Sequence, residues 1–339
     1  MARPTDGPAI KAFGRRRALA LIAAAAGLPL LGSERAVAKP LVWHGVALGA
    51  RSTITLCHAD EAVARRLLKE VLAEVRRLEG IFSLYRADSA ISRLNRLGRL
   101  EAPPPEMVEL LARARTVSAL TGGAFDATVQ PLWRLYADHF ARPAADPGGP
   151  AEDERQRALA RVDYRALSIG SDAIAFDRPG MAVTLNGIAQ GYITDRVAAL
   201  LRRAGLDHVL IDLGEIRALG RHPDARPWRA GIAEPGGFGE LLHEVTLEDR
   251  ALATSAGAGT RFDPAGRHHH LFDPRSGRST RHHASVSVLA PSATLADGLS
   301  TGFSSMSGEA IATVCRELLE VRAMVFERAQ SPARSRGPA

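Results

Sequence analysis

Cysteine is scarce in this 339-residue chain, with only Cys57 and Cys315 present. Two thiols build neither a disulfide scaffold nor a cysteine-based zinc cluster. Aromatic residues amount to 5%, too few for a single-strand nucleic-acid platform of stacked rings. No G-x-G-x-x-G opens a helix after a strand and no G-x-x-x-x-G-K-[ST] occurs, which removes the two common phosphate-cradling loops. H-E-x-x-H is also missing, so zincin chemistry loses its signature. The apolar run Ala18 to Leu31 is too short to cross a bilayer as a helix.

What the chain does have is an excess of positive charge, a formal +7. That excess is unevenly placed. Residues 1–38 hold six Lys/Arg against two acids, with Arg15, Arg16 and Arg17 directly ahead of the apolar run. Ala36-Val37-Ala38 follows the run. A basic region, a short apolar stretch and an A-x-A site make a secretory signal cleaved after Ala38. The arginine pair points to twin-arginine export to the periplasm, with the general secretory route as the alternative. No cysteine lies near the cleavage site, so no lipid-anchor site is expected. Arg334 and Arg336 lie in the Ser-, Pro- and Gly-containing segment 329–339, expected to be a disordered tail. The body between, residues 39–328, is close to neutral, so a nucleic-acid partner is not expected. Its composition, 46% apolar and 24% charged for the whole chain, is that of a globular protein.

Apolar residues at helical spacing predict helices over Glu61–Phe82 and Pro105–Leu120, and over about Gly191–Arg203, Leu295–Met306 and Gly308–Leu319. Strands are expected at Ser52–Cys57, Ala173–Phe176, Ala182–Leu185, Val209–Leu213, Trp228–Ile232 and Ser285–Leu289. Strands and helices mixed without regular βαβ alternation indicate an α+β architecture. The Pro- and Gly-rich stretch 141–154 reads as a mobile loop where two lobes join.

Four segments have chemical potential. In Leu295-Ala-Asp297-Gly-Leu-Ser300-Thr301, a carboxylate and a hydroxyl stand at i and i+4 on one helix face. Such hard oxygen donors suit Mg²⁺; the alternative is a first helical turn in which Asp297 meets the helix dipole and Thr301 bonds back to the backbone. Thr121-Gly-Gly-Ala-Phe-Asp126 lets the backbone approach a ligand, with Asp126 as acceptor, or is a helix cap followed by a strand. Leu185-Asn-Gly187-Ile-Ala-Gln-Gly191-Tyr192 exposes backbone groups to a phosphate or metal, or is a tight turn with Asn186 as N-cap. Of the histidines, His268, His269, His282 and His283 read as surface loop residues. His270 enters a turn through Leu271-Phe272-Asp273-Pro274-Arg275-Ser276-Gly277 and suits a general base.

Taken in order, these segments resemble the ApbE family of flavin transferases, which attach FMN from FAD to a protein. The resemblance is carried by Phe82 to Asn95, Thr121 to Asp126, Asn186 to Tyr192, Trp228 to Pro235, Ala253-Thr-Ser255, His270 to Gly277, and Ala290 to Thr301. It implies an ApbE-like fold of mixed sheets with flanking helices and an FAD cleft between two lobes. The implied FAD site takes in Leu48, Tyr85, Ala124, Phe125, Asp126, Thr184, Gln190 and Leu271. Asp297 and Thr301 would bind Mg²⁺, with the Gly187 carbonyl and Ser300 completing the protein donors, and His270 would sit by the reacting phosphate. The wording Leu185 to Tyr192 further resembles the NosX branch, associated with nitrous-oxide respiration, whose acceptor is the membrane flavoprotein NosR. Thr184 and Gln190 stand where the family usually has Asp and Lys, and Leu213-Gly214-Glu215 where it often has Gly-Gly-Asp. An exported FAD carrier and an FAD pyrophosphatase are therefore the two competing function classes.

Overall fold

The computed structural model describes residues 40–47, 50–235 and 241–327. The signal segment, Leu48 and the 329–339 tail lie outside the described residues. The first elements are two strands, β1 (Leu41–Ala47) and β2 (Ala50–Leu56), then helices α1 (Glu61–Phe82) and α2 (Ala90–Leu97). After β3 (Arg99–Glu101) come α3 (Pro105–Leu120), α4 (Gln130–Phe140) and α5 (Glu152–Leu159). Short strands β4 (Leu167–Ile169) and β5 (Ala173–Phe176) precede α6 (Ala189–Arg203). Next are β6 (Val209–Asp212), β7 (Ile216–Leu219), β8 (Trp228–Ala233), β9 (Leu241–Leu247) and β10 (Ala251–Ala256). The small hairpin β11 (Phe272–Asp273) and β12 (Arg278–Ser279) leads to β13 (Ser285–Ala290), α7 (Ala293–Phe303), α8 (Gly308–Glu317) and β14 (Arg322–Phe326).

Seven strands form one sheet in the order β1-β2-β6-β7-β10-β13-β14, with antiparallel pairing throughout. Alternation along each strand splits its side chains between two cores. Ile54, Ile211, Ala253 and Val288 point into the larger core, which also takes in residues of α1, α3, α6 and α7. Leu210, Ile216, Leu252 and Leu289 point the other way, where the β8–β9 hairpin lays Trp228, Ile232, Val245 and Leu247 over them. An antiparallel sheet with helices gathered on one face is the α+β architecture expected.

The predicted ranges of α1, α3 and β5 coincide with those observed. Helix α1 begins where Asp60 accepts hydrogen bonds from the Ala62 and Val63 amides, satisfying donors that no preceding turn can reach. Its buried stripe includes Leu67, Val71, Val75 and Leu78, each contributing roughly 1.5–3 kcal/mol of burial. Residues 182–185 do not form the expected strand. There the Val183 amide donates to the Asn95 side chain and its carbonyl accepts from it, while the Thr184 amide donates to the Ala127 carbonyl. A side chain and a loop take the bonds that a neighbouring strand would need. The 141–154 stretch is tied down: the Asp146 carbonyl accepts from His139, and the Pro147 carbonyl accepts from Arg267 and His268.

Candidate active site

Helices α6 and α7 pack directly on each other. Glycine is required at 191, because a Cβ there would stand 2.2 Å from the Ala293 carbonyl oxygen. At this contact each helix receives a carboxylate from the other. Asp195 of α6 accepts the Ala293 amide at 2.9 Å, the Thr294 amide at 2.8 Å and the Thr294 hydroxyl at 2.6 Å. Asp297 of α7 accepts the Gly191 amide at 3.0 Å. Helix N-termini expose unsatisfied N–H groups and partial positive charge, so a carboxylate is favoured at each. Ile188 supplies no side-chain cap to α6, and Asn186, expected as its N-cap, is exposed. Arg217 adds a further tie, donating to the Pro291 carbonyl just ahead of α7.

This cross-capping sets the place of the oxygen donors. Asp297 is buried, at 3% exposure. One turn on, the Thr301 hydroxyl donates to the Gly187 carbonyl at 3.3 Å and lies 3.2 Å from the Ser255 hydroxyl. Neither bond is the local one of an ordinary helix turn: Asp297 reaches the other helix, and Thr301 reaches across 114 residues. Ser300 donates to the Asp297 carbonyl at 3.0 Å and pairs with Ser255 at 2.8 Å. The backbone at 187 closes on Thr301 so tightly that a Cβ would stand 2.8 Å from its hydroxyl oxygen. Gly187, Asp297, Ser300 and Thr301 are thus brought together. Their donors are all oxygen, the set that suits a hard divalent cation. Among the described residues, no group of three or more His, Cys, Asp or Glu is placed to hold a metal ion, so a cation here would rest on one carboxylate together with hydroxyl and carbonyl oxygens.

His270 is anchored beside the same strand end. Its amide and its Nδ1 both donate to the Thr260 carbonyl, at 3.1 and 3.2 Å. Thr260 follows the turn Gly257–Gly259 that directly succeeds β10. A carbonyl only accepts, so Nδ1 carries a proton; in the neutral ring the lone pair is then on Nε2, the form a general base needs. The hairpin after His270 is fastened to the far end of α7, where Arg275 donates to the Ser305 carbonyl at 3.0 Å. Leu271 is buried, and its carbonyl accepts from the Thr280 amide at 2.9 Å.

The other histidines depart from the surface-loop expectation. His268, His269 and His283 are buried, their rings bonding the carbonyls of Pro147, Thr280 and Met306. Burial holds the His268 imidazole below its usual pKa. His282 is exposed as expected.

The glycine-rich segment after α3 packs on α7. Gly122 and Gly123 have φ of 58° and 82°, which turns the chain out of the helix without the strand considered above. Phe125 and Ala124 are buried; the Ala124 carbonyl accepts from Ser305. Asp126 is also buried, accepting from the Thr128 amide and hydroxyl and from the Tyr164 amide. Burial pushes its carboxyl up from the ordinary range, against the pull of those donors. Its carboxylate thus braces this loop. Through the Thr184–Ala127 bond the loop adjoins the 184–190 segment. Thr184 and Gln190 are half-buried, Thr184 receiving the Asn186 amide and the Gln190 carbonyl receiving the Thr194 hydroxyl. Tyr85 is 66% exposed and away from any core.

Two residues of this site had no role assigned from sequence. Ser255 lies in the segment Ala253-Thr-Ser255, whose residue types alone assign it no function. Asp195 carries no local signal, since its partners lie 98 and 99 residues away.

The ApbE family profile matches residues 48–325. The FAD:protein FMN transferase of Haemophilus influenzae is 30% identical over 297 residues, 83% of this chain and 85% of that protein. That of Vibrio cholerae is 31% identical over 299 residues, 85% and 88% of the two chains. The apo crystal structure of Pseudomonas stutzeri flavinyl transferase ApbE superposes with a TM-score of 0.74 at 29% identity, covering 88% of this chain and 94% of that one. The Thermotoga maritima ApbE protein gives 0.75 at 25% identity, covering 85% and 94%. With the family profile and the fold both matched across nearly the whole body, the chain belongs to the ApbE family.

Proposed function

We propose that this protein is a Mg²⁺-dependent FAD:protein FMN transferase, exported to the periplasm by the twin-arginine route. The carrying observation is the convergence of Asp297, Thr301 and the Gly187 carbonyl at the α6–α7 contact, in a chain whose relatives bear that name. An acceptor Thr or Ser hydroxyl attacks the FMN-side phosphorus of FAD. A new P–O bond forms, the bond to the AMP phosphate breaks, and AMP leaves. When bound, Mg²⁺ offsets the charge that builds on the departing phosphate. His270 takes the hydroxyl proton on Nε2; its Nδ1 bond to Thr260 holds the required tautomer. Asp126 is the weaker candidate for base, because its carboxylate is turned to Thr128 and Tyr164. The export reading rests on residues 1–38, and a NosR-like membrane flavoprotein as acceptor rests on the wording of residues 185–192. Among the described residues no helix is long and apolar enough to cross a membrane.

The test incubates the mature protein with FAD, Mg²⁺ and a threonine-bearing acceptor domain. Flavin fluorescence that stays on the denatured acceptor, with one AMP released per flavin, is the expected result. Free FMN and AMP alone assign a pyrophosphatase, and intact FAD assigns a carrier; either overturns the proposal.

A further inference from the structure

Around the candidate cation site, three hydroxyls run between two carbonyls. Ser300 Oγ stands 3.0 Å from the Asp297 carbonyl and 2.8 Å from Ser255 Oγ. Ser255 Oγ is 3.2 Å from Thr301 Oγ1, which is 3.3 Å from the Gly187 carbonyl. These are four links, and three hydroxyl protons serve them. Carbonyls cannot donate, so in every arrangement one link lacks a proton. A divalent cation held by the Gly187 carbonyl and Thr301 Oγ1 repels a proton from the link between them. That link becomes the empty one, and a single arrangement remains: Thr301 donates to Ser255, Ser255 to Ser300, and Ser300 to the Asp297 carbonyl.

We propose that Ser255 is a positioning residue for the divalent cation: it accepts the Thr301 proton, so that Thr301 Oγ1 and the Gly187 carbonyl both turn lone pairs to the ion. Ser300 is then the relay's second link, buried at 1% exposure, and not a ligand. The inference rests on the reading of Gly187, Asp297 and Thr301 as the cation site. Strand β10 supplies an internal control. Thr254, on the opposite face, makes an equivalent hydroxyl pair with Ser287 at 2.8 Å.

The experiment titrates the mature protein with Mn²⁺ alone and reads the unbound ion by electron paramagnetic resonance. Removing one hydrogen bond to a group that contacts an ion weakens binding about tenfold, the loss expected for Ser255→Ala. Ser255→Thr, which keeps the hydroxyl, retains the wild-type affinity, as does Thr254→Val. Ser300→Ala, one link further from the ion, loses less than Ser255→Ala. Wild-type affinity in Ser255→Ala overturns the proposal, and so does a larger loss in Ser300→Ala, which makes Ser300 a ligand. A wild-type protein that fails to bind Mn²⁺ overturns the cation reading itself.

Discussion

The two faces of the seven-stranded sheet are built from the same strands and do different work. On β10, Ala253 and Ser255 face α6 and α7, while Leu252 and Thr254 face the β8–β9 hairpin. The helical side sets oxygen donors against two helix N-termini, where backbone amides stabilise the buried Asp297 and the half-buried Asp195 carboxylates. The hairpin side is packed with Trp228, Ile232 and Leu247, and there the buried Asp212 accepts the Gly214 amide. The strand thus offers equivalent positions to both sides. The proposed chemistry lies where helix ends meet it, and packing where a second layer of strands covers it.

That contrast can be broken at either face. Asp297→Ala should cost the most, lowering FMN transfer at millimolar Mg²⁺ on the order of a thousandfold, equivalent to ~4 kcal/mol. Circular dichroism should still show a folded chain; full activity in this variant sinks the metal assignment. On the opposite face, Trp228→Ala removes a side chain that is 5% exposed. The expected loss is about 3 kcal/mol or more in urea unfolding, with transfer per folded molecule unchanged. A lowered rate in the folded fraction would mean that the two faces are coupled.

Asp212 sharpens the comparison through pH. Burial raises its carboxyl from 3.8 to about 6, against the pull of the Gly214 amide. A group whose folded pKa is raised contributes stability below its unfolded value and loses it as pH rises through the folded one. Wild-type stability should therefore drain between pH 3.8 and about 6. Asp212→Asn keeps the acceptor oxygen and removes the charge, so it should gain about 3 kcal/mol over wild type at pH 8, and little near pH 4. A pH-independent difference refutes the assignment. The smallest effect is expected at Asp195→Asn, which weakens the clasp on α7 by about 1 kcal/mol. Its unfolding midpoint in urea should fall accordingly; no change would mean that the α7 amides find other partners.

Elements that depend on local pattern were legible in the sequence. Helix α1 has a capping aspartate, an acidic first turn and an apolar stripe, all within its own residues. The Asp297–Thr301 pair was likewise visible as an i, i+4 spacing. Partners far along the chain were not. His268, His269 and His283 looked like surface residues because the carbonyls that bury them belong to Pro147, Thr280 and Met306. The 182–185 segment has strand-like residues, but Asn95, 88 residues away, takes the bonds of Val183. Helix α6 looked as though it needed Asn186, because a cap donated by another helix leaves no mark near its start.

The reciprocal clasp between α6 and α7 has a consequence for the order of assembly. Ser292 caps the Leu295 amide of α7 locally, but the Gly191, Ala293 and Thr294 amides gain their carboxylate partners only when the two helices dock, so the two first turns are expected to form in one cooperative step. The amides of Gly191, Ala293 and Thr294 should then resist hydrogen exchange as a group and open together. On the proposed reading, a cation that binds there would meet donors whose geometry is already set, and little of its binding energy would be lost to ordering the chain.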